Sequence, residues 1–83
     1  MILINYFARY RDLLNLGGEK LPLTDDLKTI EDVRQLLMAR SELWHTVLGE
    51  SRLMCALNQE LCQPDQRIED FDEIAFFPPV TGG

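Results

Sequence analysis

An α+β roll, a mixed sheet of about five strands with one main helix across one face, is the fold class that this sequence predicts. Three observations lead there. Five short segments rich in β-branched, aromatic or alternating apolar residues are spread along the chain. One longer stretch, residues 29–40, repeats its apolar side chains at helical spacing. Finally, 83 residues make one domain with room for one core. A sheet and a helix of that size bury their apolar faces by packing on each other.

The elements follow in order. Ile2-Leu3-Ile4-Asn5-Tyr6-Phe7 reads as the first strand. Residues 8–15 carry Tyr10, Leu13 and Leu14 at the spacing of a short helix, and Gly17-Gly18 is read as a break. Residues 19–23 form a second strand, which Pro22 confines to a sheet edge or a bulge because it has no N–H to donate. Thr29 is a good N-cap, and Glu31 and Asp32 complement the helix dipole in the first turn. Ile30, Val33, Leu36 and Leu37 then mark one face of a helix running to about Arg40. Ser41 caps a second piece with an apolar stripe of Leu43, Trp44, Val47 and Leu48, and Gly49 ends it. Asn58-Gln59 is a two-residue turn joining strands 53–57 and 60–63. A loop through Pro64 and the acidic run 69–72 leads to the last strand, residues 73–77, which Pro78-Pro79 halts. The division is thus a folded domain over residues 1–77 and a flexible tail over 78–83.

Composition narrows the function. With 8 basic and 14 acidic residues the net charge is −6, so the chain lacks the basic stripe of a nucleic-acid binder. The acidity serves solubility or a partner with a basic docking surface. No apolar run approaches the roughly 20 residues of a membrane span. The opening Met1-Ile2-Leu3-Ile4-Asn5 has no charged leader with a long apolar core, so a cytoplasmic location is expected. One histidine, His45, and two cysteines fall short of the four ligands of a zinc site, and no metal is expected. Residues 69–73 lack the alternating ligands and central glycine of a calcium loop. In the hairpin register Cys55 faces Cys62 as a wide, hydrogen-bonded pair, within disulfide reach by Cα spacing but with side chains poorly set for the bridge. A reduced pair is the expectation in that compartment.

Strand parity supplies a surface. Side chains alternate between faces, so Ile2, Ile4 and Tyr6 share one side and Asn5 and Phe7 the other. Polar Asn5 marks the second side as outer. Ile74 and Phe76 turn inward, leaving Ala75 and Phe77 outside; in the hairpin, Leu53, Cys55 and Leu57 suit the core and Ala56 and Leu61 the outside. Phe7, Leu61 and Phe77 are therefore expected on one outer face, as a partner-binding patch.

The chain closes on Phe76-Phe77-Pro78-Pro79-Val80-Thr81-Gly82-Gly83. Two prolines stiffen the exit from the strand and prevent further pairing. Six residues from Pro78 extend at most ~20 Å, enough to thread a narrow channel. A terminal glycine leaves its carboxyl carbon unhindered, and Gly82 and Gly83 reach backbone conformations closed to other residues. A bare Gly-Gly ending is weak evidence; the whole octapeptide is specific.

That octapeptide resembles the ending of the molybdopterin synthase small, sulfur-carrier subunit family. Asp72-Glu73-Ile74-Ala75, Leu57-Asn58-Gln59, Phe7-Ala8-Arg9 and Thr29-Ile30-Glu31-Asp32-Val33-Arg34-Gln35 extend the match over essentially the whole chain. The resemblance implies a ubiquitin-like β-grasp fold, with the first and last strands side by side at the centre. It further implies that an E1-like adenylating enzyme activates Gly83 at the expense of Mg-ATP, and that a sulfur-transfer protein converts it to a thiocarboxylate. Pro78, Pro79, Val80, Thr81 and Gly82 would then insert into the large synthase subunit, where sulfur passes to cyclic pyranopterin monophosphate. On this reading the chain is no enzyme on its own, binds no permanent cofactor, and forms a two-plus-two complex with the large subunit. Three rivals stand beside it. A carrier for the thiazole of thiamin would typically be shorter and lack the Phe-Phe-Pro-Pro approach. A ubiquitin-like modifier would place Gly83 in isopeptide bonds, and a pure binding module would tolerate deletion of Gly82-Gly83.

Overall fold

Alternation of Ile2, Ile4 and Tyr6 with Leu3 and Asn5 produces β1 (Ile2–Tyr6), whose burial alternates in step with the sequence. The computed structural model describes residues 1–79. The remaining elements are α1 (Ala8–Leu14), β2 (Gly18–Leu21), α2 (Ile30–Met38), α3 (Glu42–Leu48), β3 (Met54–Leu57), β4 (Glu60–Cys62) and β5 (Glu73–Phe77). The five strands form one mixed sheet in the order β2-β1-β5-β3-β4. β1 and β5 run parallel at its centre, with Ile4 beside Ile74 and Tyr6 beside Phe76, and the other pairings are antiparallel. This is the ubiquitin-like β-grasp arrangement, α+β in class.

One core joins the two layers. Ile2, Ile4, Tyr6, Cys55, Ile74 and Phe76 supply the sheet side; Ile30, Val33 and Leu37 come from α2, Tyr10 and Leu14 from α1, Val47 and Leu48 from α3. Leu13, Leu36 and Leu43, expected on the buried stripes, are instead about half exposed, at 52%, 48% and 49%. These helices are two turns long and each meets the core along a narrow seam, so an apolar residue three positions on falls outside it.

Element ends are set by local chemistry. Gly18, read as part of a break, begins β2. A Cβ there would lie 2.8 Å from Asn5 Oδ1 and 2.9 Å from the Ile4 carbonyl, so only glycine fits so close to β1. β2 stops at Leu21, short of the expected Leu23, because Pro22 cannot extend the ladder. Thr29 caps α2 as expected, in a reciprocal box: its hydroxyl accepts from the Asp32 N–H at 3.2 Å, and the Asp32 carboxylate accepts from the Thr29 N–H at 3.0 Å. α2 ends at Met38, two residues before the expected Arg40, since Ser41 must be extended to cap α3 through the Trp44 N–H. Residues 64–68, read as a plain connection, satisfy the helix start. The Pro64 carbonyl accepts from Glu31 N–H at 2.8 Å and that of Gln66 from Ile30 N–H at 3.0 Å.

Candidate docking face and tail exit

All three helices lie on the core side of the sheet, so its other face carries side chains that none of them covers. Phe7, Leu61 and Phe77 meet there around one shallow depression of about 380 Å³, with Ala56 and Ala75 as its floor. Phe7 is 48% exposed and Leu61 68%. Adjacent strands far apart in sequence supply this apolar cluster, from the end of β1 across β5 and β3 to β4, and the pairings Ala56–Leu61 and Ala56–Ala75 hold it in register.

Phe7 sits just past β1, where its N–H still donates to the Phe76 carbonyl at 3.1 Å. The chain then turns sharply through Ala8, at φ 55. That left-handed conformation is unfavourable for alanine by about 1 kcal/mol, and it sends α1 to the core side while Phe7 remains on the outer one.

The rim opposite the phenyl rings is polar. Asn5 Nδ2 donates to Glu73 Oε2 at 2.6 Å across the central parallel pair, and Gln59 closes the far edge. Asn58 and Gln59 both take positive φ, 49 and 72, the geometry of a tight hairpin turn. Asn58 ties that turn to β5. Its N–H donates to the Glu73 carbonyl at 2.8 Å, its Oδ1 accepts from the Glu73 N–H at 2.9 Å, and its Nδ2 donates to Asp72 at 3.0 Å. Parity alone would have placed Glu73 with Ala75 and Phe77, but the sequence reading used only Asn5 to identify the outer face.

The depression lies beside the end of β5. Phe77 is the last strand residue, and Pro78 and Pro79 follow it half-buried. The expectations that fall on Val80, Thr81, Gly82 and Gly83 lie outside the described residues.

Other titratable groups serve the fold. Arg40 donates to both Glu19 oxygens at 2.7 Å, and the Tyr6 hydroxyl donates to Glu19 Oε2 at 2.6 Å. The Arg40 bonds, then that of Tyr6, hold the Glu19 carboxyl below its ordinary value despite partial burial. Burial and then Glu19 push the Tyr6 phenol far up, so it stays a donor. Glu50 accepts from the Tyr10 hydroxyl and from Arg9, and its carboxyl is lowered by the Tyr10 bond first. In the acidic run, Asp70 pairs with the Met1 ammonium and Asp72 accepts from the Glu69 N–H. His45 is exposed on α3. Among the described residues no group of three or more His, Cys, Asp or Glu is placed to hold a metal ion. None of the helices described is long and apolar enough to cross a membrane. Cys55 and Cys62 are free thiols, paired across β3 and β4.

Comparison with known proteins gives a coherent result. The model of the ThiS family matches residues 4–83. The molybdopterin synthase sulfur carrier subunit of Escherichia coli strain K12 is 41% identical over 83 residues, covering all of both chains. Small archaeal modifier protein 1 from Methanosarcina acetivorans superimposes with a TM-score of 0.74 at 21% identity, over 99% of this chain and 95% of that one. A chain from the complex of subunits 1 and 2 of the molybdopterin-converting factor of Helicobacter pylori 26695 gives a TM-score of 0.67 at 22% identity, over 99% and 97%. The two structural likenesses bear on the fold.

Proposed function

This chain belongs to the ThiS family, and we propose from that premise that it is the sulfur carrier subunit of a molybdopterin synthase, acting in molybdenum cofactor biosynthesis. The observation that carries the reading is the full-length likeness to a subunit of that name. A carrier for thiamin thiazole is a family alternative, and neither that likeness nor the Phe76-Phe77-Pro78-Pro79 approach favours it.

The working group is the carboxylate of Gly83. A carboxylate is a poor electrophile, so an E1-like enzyme first adenylates it: its oxygen attacks the α-phosphorus of Mg-ATP and pyrophosphate leaves. The outer sulfur of a persulfide on a sulfur-transfer protein then displaces AMP to give an acyl disulfide. A thiol attacks the sulfur that belongs to the sulfur-transfer protein, breaking the S–S bond to release the thiocarboxylate and leave a disulfide on that protein. The chain holds no permanent cofactor. It docks on the large subunit through Phe7, Leu61 and Phe77, while Pro78, Pro79, Val80, Thr81 and Gly82 lead the end group into that subunit. There, sulfur passes to cyclic pyranopterin monophosphate, and two such transfers build the dithiolene. The apolar depression beside the β5 exit supports this division into a docking face and a delivering tail.

The test is the mass of the C-terminal tryptic peptide from protein isolated from its native cells. Cleavage after Arg67 releases residues 68–83, which contain neither methionine nor cysteine. A fraction with sulfur in place of oxygen is the expected result. A plain carboxylate throughout, even with activating enzyme, ATP and sulfur source supplied, overturns the reading; Gly83 found in isopeptide bonds would make the chain a modifier.

A further inference from the structure

Cys55 and Cys62 have no part in the docking face or the tail, yet they stand directly opposite each other across the β3–β4 ladder. Their Sγ atoms are 3.9 Å apart, and the Cys55 thiol also donates to the Cys62 carbonyl at 3.4 Å. Cys55 is buried and Cys62 half-buried, so Cys62 is the more accessible of the two. We propose that this pair is a thiol-oxidation site: a low-molecular-weight organic disulfide converts it to an intramolecular cross-strand disulfide, which displaces β4 and with it the Leu61 wall of the apolar depression.

The geometry permits closure with the backbone motion confined to β4. Directly opposite residues in an antiparallel pair have Cα atoms about 4.5–5.5 Å apart, inside the disulfide range. The sulfurs must approach by roughly 2 Å to reach bonding distance. β3 is held on both sides, by β5 and β4, whereas β4 is a three-residue edge strand paired on one side only. The adjustment therefore falls on β4, whose middle residue is Leu61. Bridges between directly opposite strand positions are torsionally unfavourable, and unfavourable bridges are the readily reduced ones, so the change is reversible.

The chemistry balances in two exchanges. The Cys62 thiolate attacks the organic disulfide, forming a mixed disulfide and expelling one thiolate. Cys55 then loses its proton and its sulfur attacks Cys62 Sγ; the second thiolate leaves and takes up a proton. Two protein thiols are oxidised by two electrons, and one organic disulfide is reduced to two thiols. Burial, and then the neighbouring Cys62 thiol, push Cys55 up to about 12, so Cys55 is the resolving partner rather than the first to react.

The experiment treats the full chain with oxidised glutathione at neutral pH and alkylates what remains. One tryptic peptide, residues 53–67, carries both cysteines. It is expected to lose two hydrogens and resist alkylation, and to regain both sites after dithiothreitol. The amide NMR signals of Leu61 and Ala56 should move on oxidation and return on reduction. A Cys55→Ala chain treated alike should stop at a glutathione adduct on Cys62. The proposal is overturned if the native chain also stops at that adduct or keeps both sites alkylatable. Unfolding on oxidation, or closure that leaves the Leu61 signal in place, overturns it equally.

Discussion

Glu19 joins three parts of the molecule: its carboxylate takes the Tyr6 hydroxyl of β1 and both ends of the Arg40 guanidinium beyond α2, and Arg40 in turn lies 4.6 Å above the Trp44 ring of α3. Because Arg40 holds the Glu19 carboxyl below its ordinary value, the unfolded chain binds a proton there more readily than the folded one. Its contribution is therefore complete above the unfolded carboxyl's range, about pH 4.3, and is lost as pH falls through the lower folded value. Both side chains are partly exposed, so screening limits the contribution to about 1 kcal/mol. Urea melts of the native chain and Glu19→Gln should differ by that amount near neutrality and converge as the pH drops through the acid range. Curves that remain parallel would remove this role from Glu19. At the same scale, Tyr6 illustrates what sequence can and cannot convey. Its inward parity is plain from the alternation with Asn5, but its partner lies on β2 and is identified only once Ile4 is seen opposite Glu19.

Among the elements, α2 and α3 are joined by Arg34, which donates from Nε to the Leu48 carbonyl at 2.6 Å and from Nη2 to the Glu50 carbonyl at 2.9 Å. These are late carbonyls of α3 and its exit, which lack partners within the helix. Arg34→Met keeps the apolar stem but leaves the Leu48 carbonyl without its partner, while that of Glu50 still accepts from the Leu53 N–H at 3.1 Å, at a cost of about 2 kcal/mol. For a domain of this size that is a Tm drop of roughly 8–16 °C, measurable by circular dichroism, with little change in helix content. A drop below about 2 °C would show that water satisfies these carbonyls as well as Arg34 does. Such long-range bonds explain the division between what was legible in the sequence and what was not. Period-two alternation gave the strands and their faces, because each residue reports its own side. Thr29, Ser41, Pro22 and the Asn58-Gln59 turn announced element ends through local chemistry. The tie between residues 64–68 and the start of α2 carries no such signal. Nor could spacing alone separate buried Leu37 from exposed Leu36, because that choice is made by where the sheet lies.

For the whole molecule, the decisive asymmetry is that the sheet has one face packed by helices and one that they leave uncovered. The packed face satisfies Ile74 and Phe76, both fully buried; the other holds Phe77, which touches no core layer yet lines the apolar depression with Phe7 and Leu61. A charge at Phe77 should thus spare folding and act on association. Phe77→Asp would place a second carboxylate in a depression already rimmed by Glu73, on a chain of net charge −6. It would also remove a large aromatic anchor of the kind that dominates interfaces, worth about 2 kcal/mol or more, or roughly thirtyfold in affinity. Isothermal titration against the large subunit and against the activating enzyme should show that loss for both, because under the proposed function both bind the face beside the tail. The thermal midpoint of the isolated variant should stay within a few degrees of the native chain's. If the folded variant binds both partners with native affinity, docking takes place elsewhere, and the depression is only the uncovered side of a sheet.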